Sequence, residues 1–232
     1  MPGTNFKEIS PQELAGYIDH TLLKPEAGPE AVEQLCAEVI KYGFAMACVN
    51  PCYVRWAAEL LADHLRGVCG VVGFPLGANQ SRIKQAEAER NIQDGASEID
   101  MVINIGAAAA GDFDYVRQDI EAVLRPCREA KPTVGLKVIL EMGVLGRQTK
   151  IRLCKLAGDL GVDFIKTSTG MHETGGATVE DVELMYEHRG GCKVKTSGGI
   201  RDMRTALAML AAGAERIGTS WGRMIMEEMG VK

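Results

Sequence analysis

The sequence contains no run approaching the roughly 18 apolar residues that a membrane span needs, and Met1 to Ser10 carries no apolar core segment. Paired CxxC knuckles are absent too. The seven cysteines (Cys36, Cys48, Cys52, Cys69, Cys127, Cys154 and Cys192) are odd in number and irregular in spacing, so they read as reduced thiols and not as a disulfide framework. Cys48 and Cys52 stand four apart, with no histidine or second cysteine pair nearby to complete a zinc site. The four histidines, His20, His64, His172 and His188, never form an HxH or HxxxH pair. Formal net charge is −5, and no basic run or basic-aromatic interleaving suggests a nucleic-acid surface. These absences point to a cytoplasmic protein with no metal, no membrane partner and no nucleic-acid partner. They leave room for a local positive pocket that holds an anionic small molecule.

What is present fits one large core. A chain of 232 residues with 46% hydrophobic content suits a single α/β barrel or an α/β sandwich and is too short for two ordinary barrels. Short apolar, β-branched runs alternate with helical stretches, the pattern of a parallel α/β fold. Eight strands are predicted: Ile18 to Leu23, Phe44 to Asn50, Val68 to Phe74, Glu98 to Asn104, Gly135 to Glu141, Asp163 to Ser168, Lys193 to Ser197 and Arg216 to Ser220. Between them, Pro29 to Lys41 sets Val32, Leu35, Cys36, Val39 and Ile40 on one helical stripe, and Thr178 begins a capping-box pattern for a helix through Met185. Arg201 to Ala212 and Met224 to Met229 read as later helices, and Ala107 to Gly111 as a helical turn. No linker or composition break divides the chain, so residues 1–232 are expected to form one (β/α)8 TIM-barrel domain of the α/β class.

Two lysines stand in the same phrase inside predicted strands, Lys166 in KTSTG and Lys195 in KTSGG. Interior strand lysines point into the fold. An ordinary lysine has a pKa of about 10.4, and it attacks a carbonyl only when neutral. Desolvation and a second nearby cation both favour the neutral amine, and two lysines on adjacent strands supply that arrangement. The competing reading is structural: a lysine that anchors a phosphate, or a buried ion-pair network linking Asp100, Lys137, Lys166 and Lys195.

Alternation along Glu98 to Asn104 puts Asp100, Val102 and Asn104 on one face and Ile99, Met101 and Ile103 on the other. Asp100 then faces the barrel, where a carboxylate beside a lysine can relay protons. Lys137 and Glu141 share an inner face and are expected to neutralise neighbours, while Asp19, His20 and Thr21 lie in the first strand region. Cys48, near a strand end, reads as a core thiol. Barrel active sites lie at the C-terminal ends of the strands, often with phosphate held after strands seven and eight. Gly198 and Gly199 follow the seventh strand, Gly218 and Ser220 end the eighth, and Gly170 follows the sixth; a predicted helix after each of the last two strands offers N–H groups to an anion.

The runs IDHTLLKP (18–25), FAMACVNP (44–51), VVGFPLG (71–77), EIDMVINIG (98–106), LKVILE (136–141), DFIKTSTG (163–170), SGGIR (197–201) and AERIGTS (214–220) together resemble the deoxyribose-phosphate aldolases. The resemblance implies a TIM-barrel, metal-independent class I aldolase of deoxyribonucleotide catabolism. Such an enzyme cleaves 2-deoxy-D-ribose 5-phosphate reversibly to acetaldehyde and D-glyceraldehyde 3-phosphate with no cofactor. By the same resemblance Lys166 is the Schiff-base lysine, Asp100 the proton-transfer residue and Lys195 the lysine that depresses the amine pKa. Phosphate would sit among Gly170, Gly198, Gly199, Gly218 and Ser220. Independently of the resemblance, the base rate among soluble enzymes sets the expectation of a homodimer or higher homo-oligomer. Met142, Trp221 and a C-terminus without tyrosine depart from the family pattern. Rival readings are another Schiff-base aldolase, a phosphate-binding isomerase and a silent sugar-phosphate binder.

Overall fold

A computed structural model describes residues 6–231. All eight expected strands form: β1 (Ile18–Leu22), β2 (Met46–Val49), β3 (Gly67–Val72), β4 (Glu98–Val102), β5 (Gly135–Ile139), β6 (Phe164–Lys166), β7 (Lys193–Ser197) and β8 (Arg216–Thr219). They pair in parallel in chain order and close, with β8 against β1, into a TIM barrel. Several stop short of their expected C-terminal ends because the chain leaves the ladder there to build the rim. Asn104, expected at the end of a strand, instead caps the helix Ile105–Ala110, its side chain accepting from the Ala107 N–H at 2.9 Å.

The helices follow local chemistry. Pro29–Tyr42 starts with proline in its first turn and ends at Gly43, whose φ of 78° suits a residue without a Cβ. Val32, Leu35, Cys36 and Val39 are buried as expected, whereas Ile40 lies at the margin of the stripe and is 38% exposed. Thr178 accepts from the Asp181 N–H at 3.1 Å and opens the helix Val179–His188, which runs three residues beyond its expected end. Met203–Ala211 and Gly222–Glu228 complete the ring. Ala107 to Gly111 is the end of a helix, with Gly111 as its left-handed stop.

Strand residues that point outward, among them Ile99, Met101, Leu136, Val138, Ile165 and Val194, pack with helical Val32, Val116, Ile120, Leu153, Val182 and Leu210 in one continuous apolar layer. Each such side chain contributes about 1.5–3 kcal/mol through burial. That layer carries the stability of the fold. The inward faces carry a different chemistry: Asp19, Asp100, Lys137, Lys166 and Lys195 are all buried there, beside a small apolar cluster of Leu23, Cys48, Cys69 and Val71.

Candidate active site

Register brings the charged residues together. In parallel pairing Asp100 stands opposite Lys137, Lys166 opposite Lys195, and Lys195 opposite Arg216, so neighbouring strands present these side chains on the same inward face. The KTS echo has a structural cause as well. Ser168 Oγ donates to the Ser197 carbonyl at 2.6 Å, Ser197 Oγ donates to the Ser168 carbonyl at 2.5 Å, and the Ser197 N–H donates to Thr167 Oγ1 at 3.0 Å. These reciprocal bonds tie the ends of β6 and β7, which hold the two lysines.

Asp100 is the hub. Its Oδ2 accepts from Lys166 Nζ at 2.6 Å and from Lys195 Nζ at 2.7 Å, while Oδ1 meets Lys137 Nζ at 2.9 Å and accepts from Cys69 Sγ at 3.1 Å. Burial alone would raise the Asp100 pKa, but Lys137, Lys166 and Lys195 outweigh it and hold the carboxyl well below its ordinary range. Asp19, left open by the sequence, joins the network. Its Oδ2 accepts from Lys195 at 2.5 Å and its Oδ1 from Arg216 at 2.7 Å. Burial pushes Asp19 up, yet Lys195, Lys137 and Arg216 bring it down to about 2. Burial would likewise strip Lys195 and Lys137 of their protons; the surrounding carboxylates, Asp100 first, reverse that and raise both above the usual lysine range.

The expected network of Asp100, Lys137, Lys166 and Lys195 therefore exists, and it extends further than expected. Glu98, one register step below Asp100 on the same face, meets Lys137 Nζ at 2.5 Å and Arg216 at 3.1 Å. Glu141 is a correction. It was expected to share a face with Lys137 and neutralise neighbours, but β5 ends at Ile139 and the backbone turns left-handed at Glu141 (φ 55°). Its carboxylate accepts from the Thr169 N–H at 3.1 Å instead. His20 faces away from the interior, with Nε2 2.7 Å from Glu38 and its ring against Phe44.

Cys48 is buried in the interior, as expected of a core thiol, and Cys52 is exposed. Potential ligand atoms of Cys48, Cys69 and Asp100 fall within 4.8 Å of one another. Lys137 Nζ stands 3.2 Å from Cys69 Sγ and 2.9 Å from Asp100, so an ammonium already occupies the cation's position in that group.

Above the network, at the C-terminal ends of the strands, opens a cleft of about 200 Å³ that reaches Lys166. It collects all five residues expected around a phosphate: Gly170, Gly198, Gly199, Gly218 and Ser220. Gly198 has φ 88°, and a Cβ there would stand 3.0 Å from the Gly170 Cα and 2.8 Å from the Gly176 Cα, so only glycine lets the three turns close together. Two details differ from expectation. Ser220 Oγ is engaged, donating to the Thr21 carbonyl at 2.7 Å, and the helix after β7 is already capped by Asp202, which accepts from the Thr205 N–H at 2.7 Å. The cleft also gains Lys24 and Arg201, whose cations were present in the quoted runs but assigned no role; Arg201 lies 5.8 Å over the Trp221 ring.

Residues 14–228 match the family described as DeoC/LacD family aldolase. The chain is 51% identical over 218 residues to the deoxyribose-phosphate aldolase of Thermococcus gammatolerans, covering 93% of this chain and 96% of that one. It is 49% identical over 215 residues to the enzyme of the same name from Enterococcus faecalis, covering 92% and 96%. Among solved structures, the tetrameric deoxyribose phosphate aldolase of Aeropyrum pernix superimposes with a TM-score of 0.87 at 33% identity, over 95% of this chain and 92% of that one.

Proposed function

Since the chain belongs to the DeoC/LacD family of aldolases, we propose that it cleaves 2-deoxy-D-ribose 5-phosphate reversibly to acetaldehyde and D-glyceraldehyde 3-phosphate through a Schiff base on Lys166. The observation that carries this reading is the position of Lys166. It is the interior lysine that lines the cleft, and its Nζ lies 2.6 Å from the Asp100 carboxylate.

In the proposed cycle neutral Lys166 attacks C1 of the open-chain sugar, and loss of water gives an iminium. Two- and three-carbon products require the C2–C3 bond to break. Its electron pair flows into the iminium to leave an enamine, as the C3 hydroxyl loses its proton and becomes the aldehyde of glyceraldehyde 3-phosphate. The enamine then takes a proton at C2, and water releases acetaldehyde and the free amine. Asp100 is the proton-transfer residue of this cycle. Ionised in the free enzyme, it begins as an acceptor. Lys195, held as a cation by Asp100 and Asp19, supplies the second positive charge that favours an uncharged nucleophile. The phosphate is assigned to the cleft formed by Gly170, Gly198, Gly199, Gly218 and Ser220, with Lys24 and Arg201 contributing charge. Anchoring this remote group aligns C1 with the amine.

No metal or organic cofactor enters the cycle, because the iminium is the electron sink. The substrate class suggests deoxyribonucleotide catabolism in the cytoplasm by residues 1–232 acting as one domain. Seven free cysteines and the lack of a helix long and apolar enough to span a membrane among the described residues are compatible with that. The tetramer of the Aeropyrum relative favours a homo-oligomer here. Borohydride trapping with 2-deoxyribose 5-phosphate and peptide mapping tests the mechanism. A single adduct on Lys166, lost together with acetaldehyde release in Lys166→Ala, is the expected result. An intact, folded native chain that gives no adduct would sink it.

A further inference from the structure

The ion pairs below Lys166 do not end at the catalytic residues. They continue through the barrel to its other mouth, where Arg216 and Glu98 line a second cavity together with Asp163, Phe164 and Lys193. The inward chain holds four cations (Lys137, Lys166, Lys195, Arg216) and three carboxylates (Asp19, Glu98, Asp100). One cation is surplus. In a desolvated interior a surplus charge is costly, and the network is neutral when one of the four gives up its proton.

The contacts show which one it is. Lys137 meets Glu98 at 2.5 Å, Asp100 at 2.9 Å and Asp19 at 3.7 Å; Lys195 meets Asp19 at 2.5 Å and Asp100 at 2.7 Å; Arg216 meets Asp19 at 2.7 Å and Glu98 at 3.1 Å. Among the described residues Lys166 meets Asp100 alone. We propose that Arg216, at the mouth opposite the cleft, is a positioning residue for the nucleophile: by occupying Asp19 and Glu98 it leaves Lys166 the least-paired cation and sets the pH above which Lys166 attacks. This rests on the Schiff-base reading of Lys166.

Every element around the nucleophile enters the balance. Asp19 comes from β1, the thiols of Cys48 and Cys69 from β2 and β3, Glu98 and Asp100 from β4, Lys137 from β5, Lys195 from β7 and Arg216 from β8. Burial raises the Cys69 thiol well above its ordinary range, and a hydrogen bond with Cys69 lowers that of Cys48. Glu141 is committed to the Thr169 N–H, and Lys24 and Arg201 line the outer cleft. At the far mouth Lys193 is exposed and Asp163 is paired with Arg128 at 2.8 Å, so neither replaces the partners of Arg216.

The test follows imine formation with acetaldehyde, trapped by cyanoborohydride across pH, in the native chain and in Arg216→Gln, Arg216→Lys, Glu98→Gln and the double variant Glu98→Gln/Arg216→Gln. Loss of the Arg216 charge removes a cation from the network, so the midpoint of imine trapping moves alkaline, by about one pH unit. Loss of Glu98 moves it acid. The double variant restores the surplus and returns toward native, and Arg216→Lys keeps the native midpoint. A folded Arg216→Gln with a native midpoint overturns the proposal, and so does a double variant displaced further than either single one. If Arg216→Gln does not fold, Glu98→Gln decides, and an unmoved midpoint there is equally fatal. A native chain that traps no imine at any pH refutes the Schiff-base reading itself, a different outcome from trapping with an unmoved midpoint.

Discussion

On their outward faces the eight strands are nearly interchangeable; on their inward faces hardly two are alike. Ile99, Leu136, Ile165 and Val194 all do the same thing, filling the layer against the helices, and any apolar residue of similar volume there keeps the fold. Asp100, Lys137, Lys166 and Lys195 alternate with them on the same strands, and each has its own set of partners. One barrel thus separates two tasks at a spacing of a single residue. The outward positions make the structure stable, and the inward positions spend part of that stability on holding charge out of water.

Substitutions on the two faces should separate cleanly. The largest effect is on the inner face, where Asp100→Asn removes the carboxylate beside Lys166 and, on the proposed cycle, should lower kcat by about 10²- to 10⁴-fold; steady-state kinetics on a variant with native circular dichroism checks it. Its outward neighbour tests the other half. Ile99→Ala, in a fully buried position, should cost about 2–5 kcal/mol in urea unfolding while kcat of the folded fraction stays near native. A large kcat loss there would erase the distinction between the faces.

Acid should attack the inner face first. Asp19 is held at about 2 in the folded chain against about 3.9 when unfolded, and Asp100 is depressed as well. Carboxylates lowered on folding add stability above their unfolded pKa and lose it as pH falls through the folded value. Asp19 alone should contribute on the order of 2 kcal/mol, fully present above about pH 5 and disappearing towards pH 2. Urea midpoints measured from pH 6 downward should fall across that window, and a flat series would contradict the ion-pair assignment. The smallest effect belongs to the rim. Gly198→Ala, strained at φ 88°, should raise KM for the phosphorylated sugar about tenfold, roughly 1.4 kcal/mol, with little change in KM for acetaldehyde in the synthetic direction.

The outer face was the more legible of the two. Apolar β-branched runs located all eight strands, and alternation through Glu98 to Asn104 correctly put Ile99, Met101 and Ile103 outside. Errors fell at strand exits, such as Leu140 and Glu141, where the chain stops alternating and the backbone turns. Inside, the lysines were visible because their sequence context repeats, and the glycine loops because the barrel rule names their place. Arg216 and Glu98 were not assigned: they open their strands, where a charged residue ordinarily marks a solvated end, and only closure of β8 on β1 brings Arg216 to Asp19. Lys84 and Asp119 gave no signal either. They form a fully buried pair at 2.6 Å under the helix Ser81–Gln93, and the polar sequence of that helix hides the one lysine that turns inward.

The three lysines of the inward network all carry primary amines, yet Lys137 and Lys195 are wholly buried while Lys166 retains 3% exposure and lines the cleft. A synthetic chemist facing three equivalent primary amines would mask two before adding an aldehyde. The barrel wall is that protecting group. Access thus adds to the difference in ion pairing, since among the described residues Lys166 is the one of the three that lines the cleft. A cavity opened beside Lys195 would remove that mask and still present an ammonium, because Asp100 and Asp19 hold its proton.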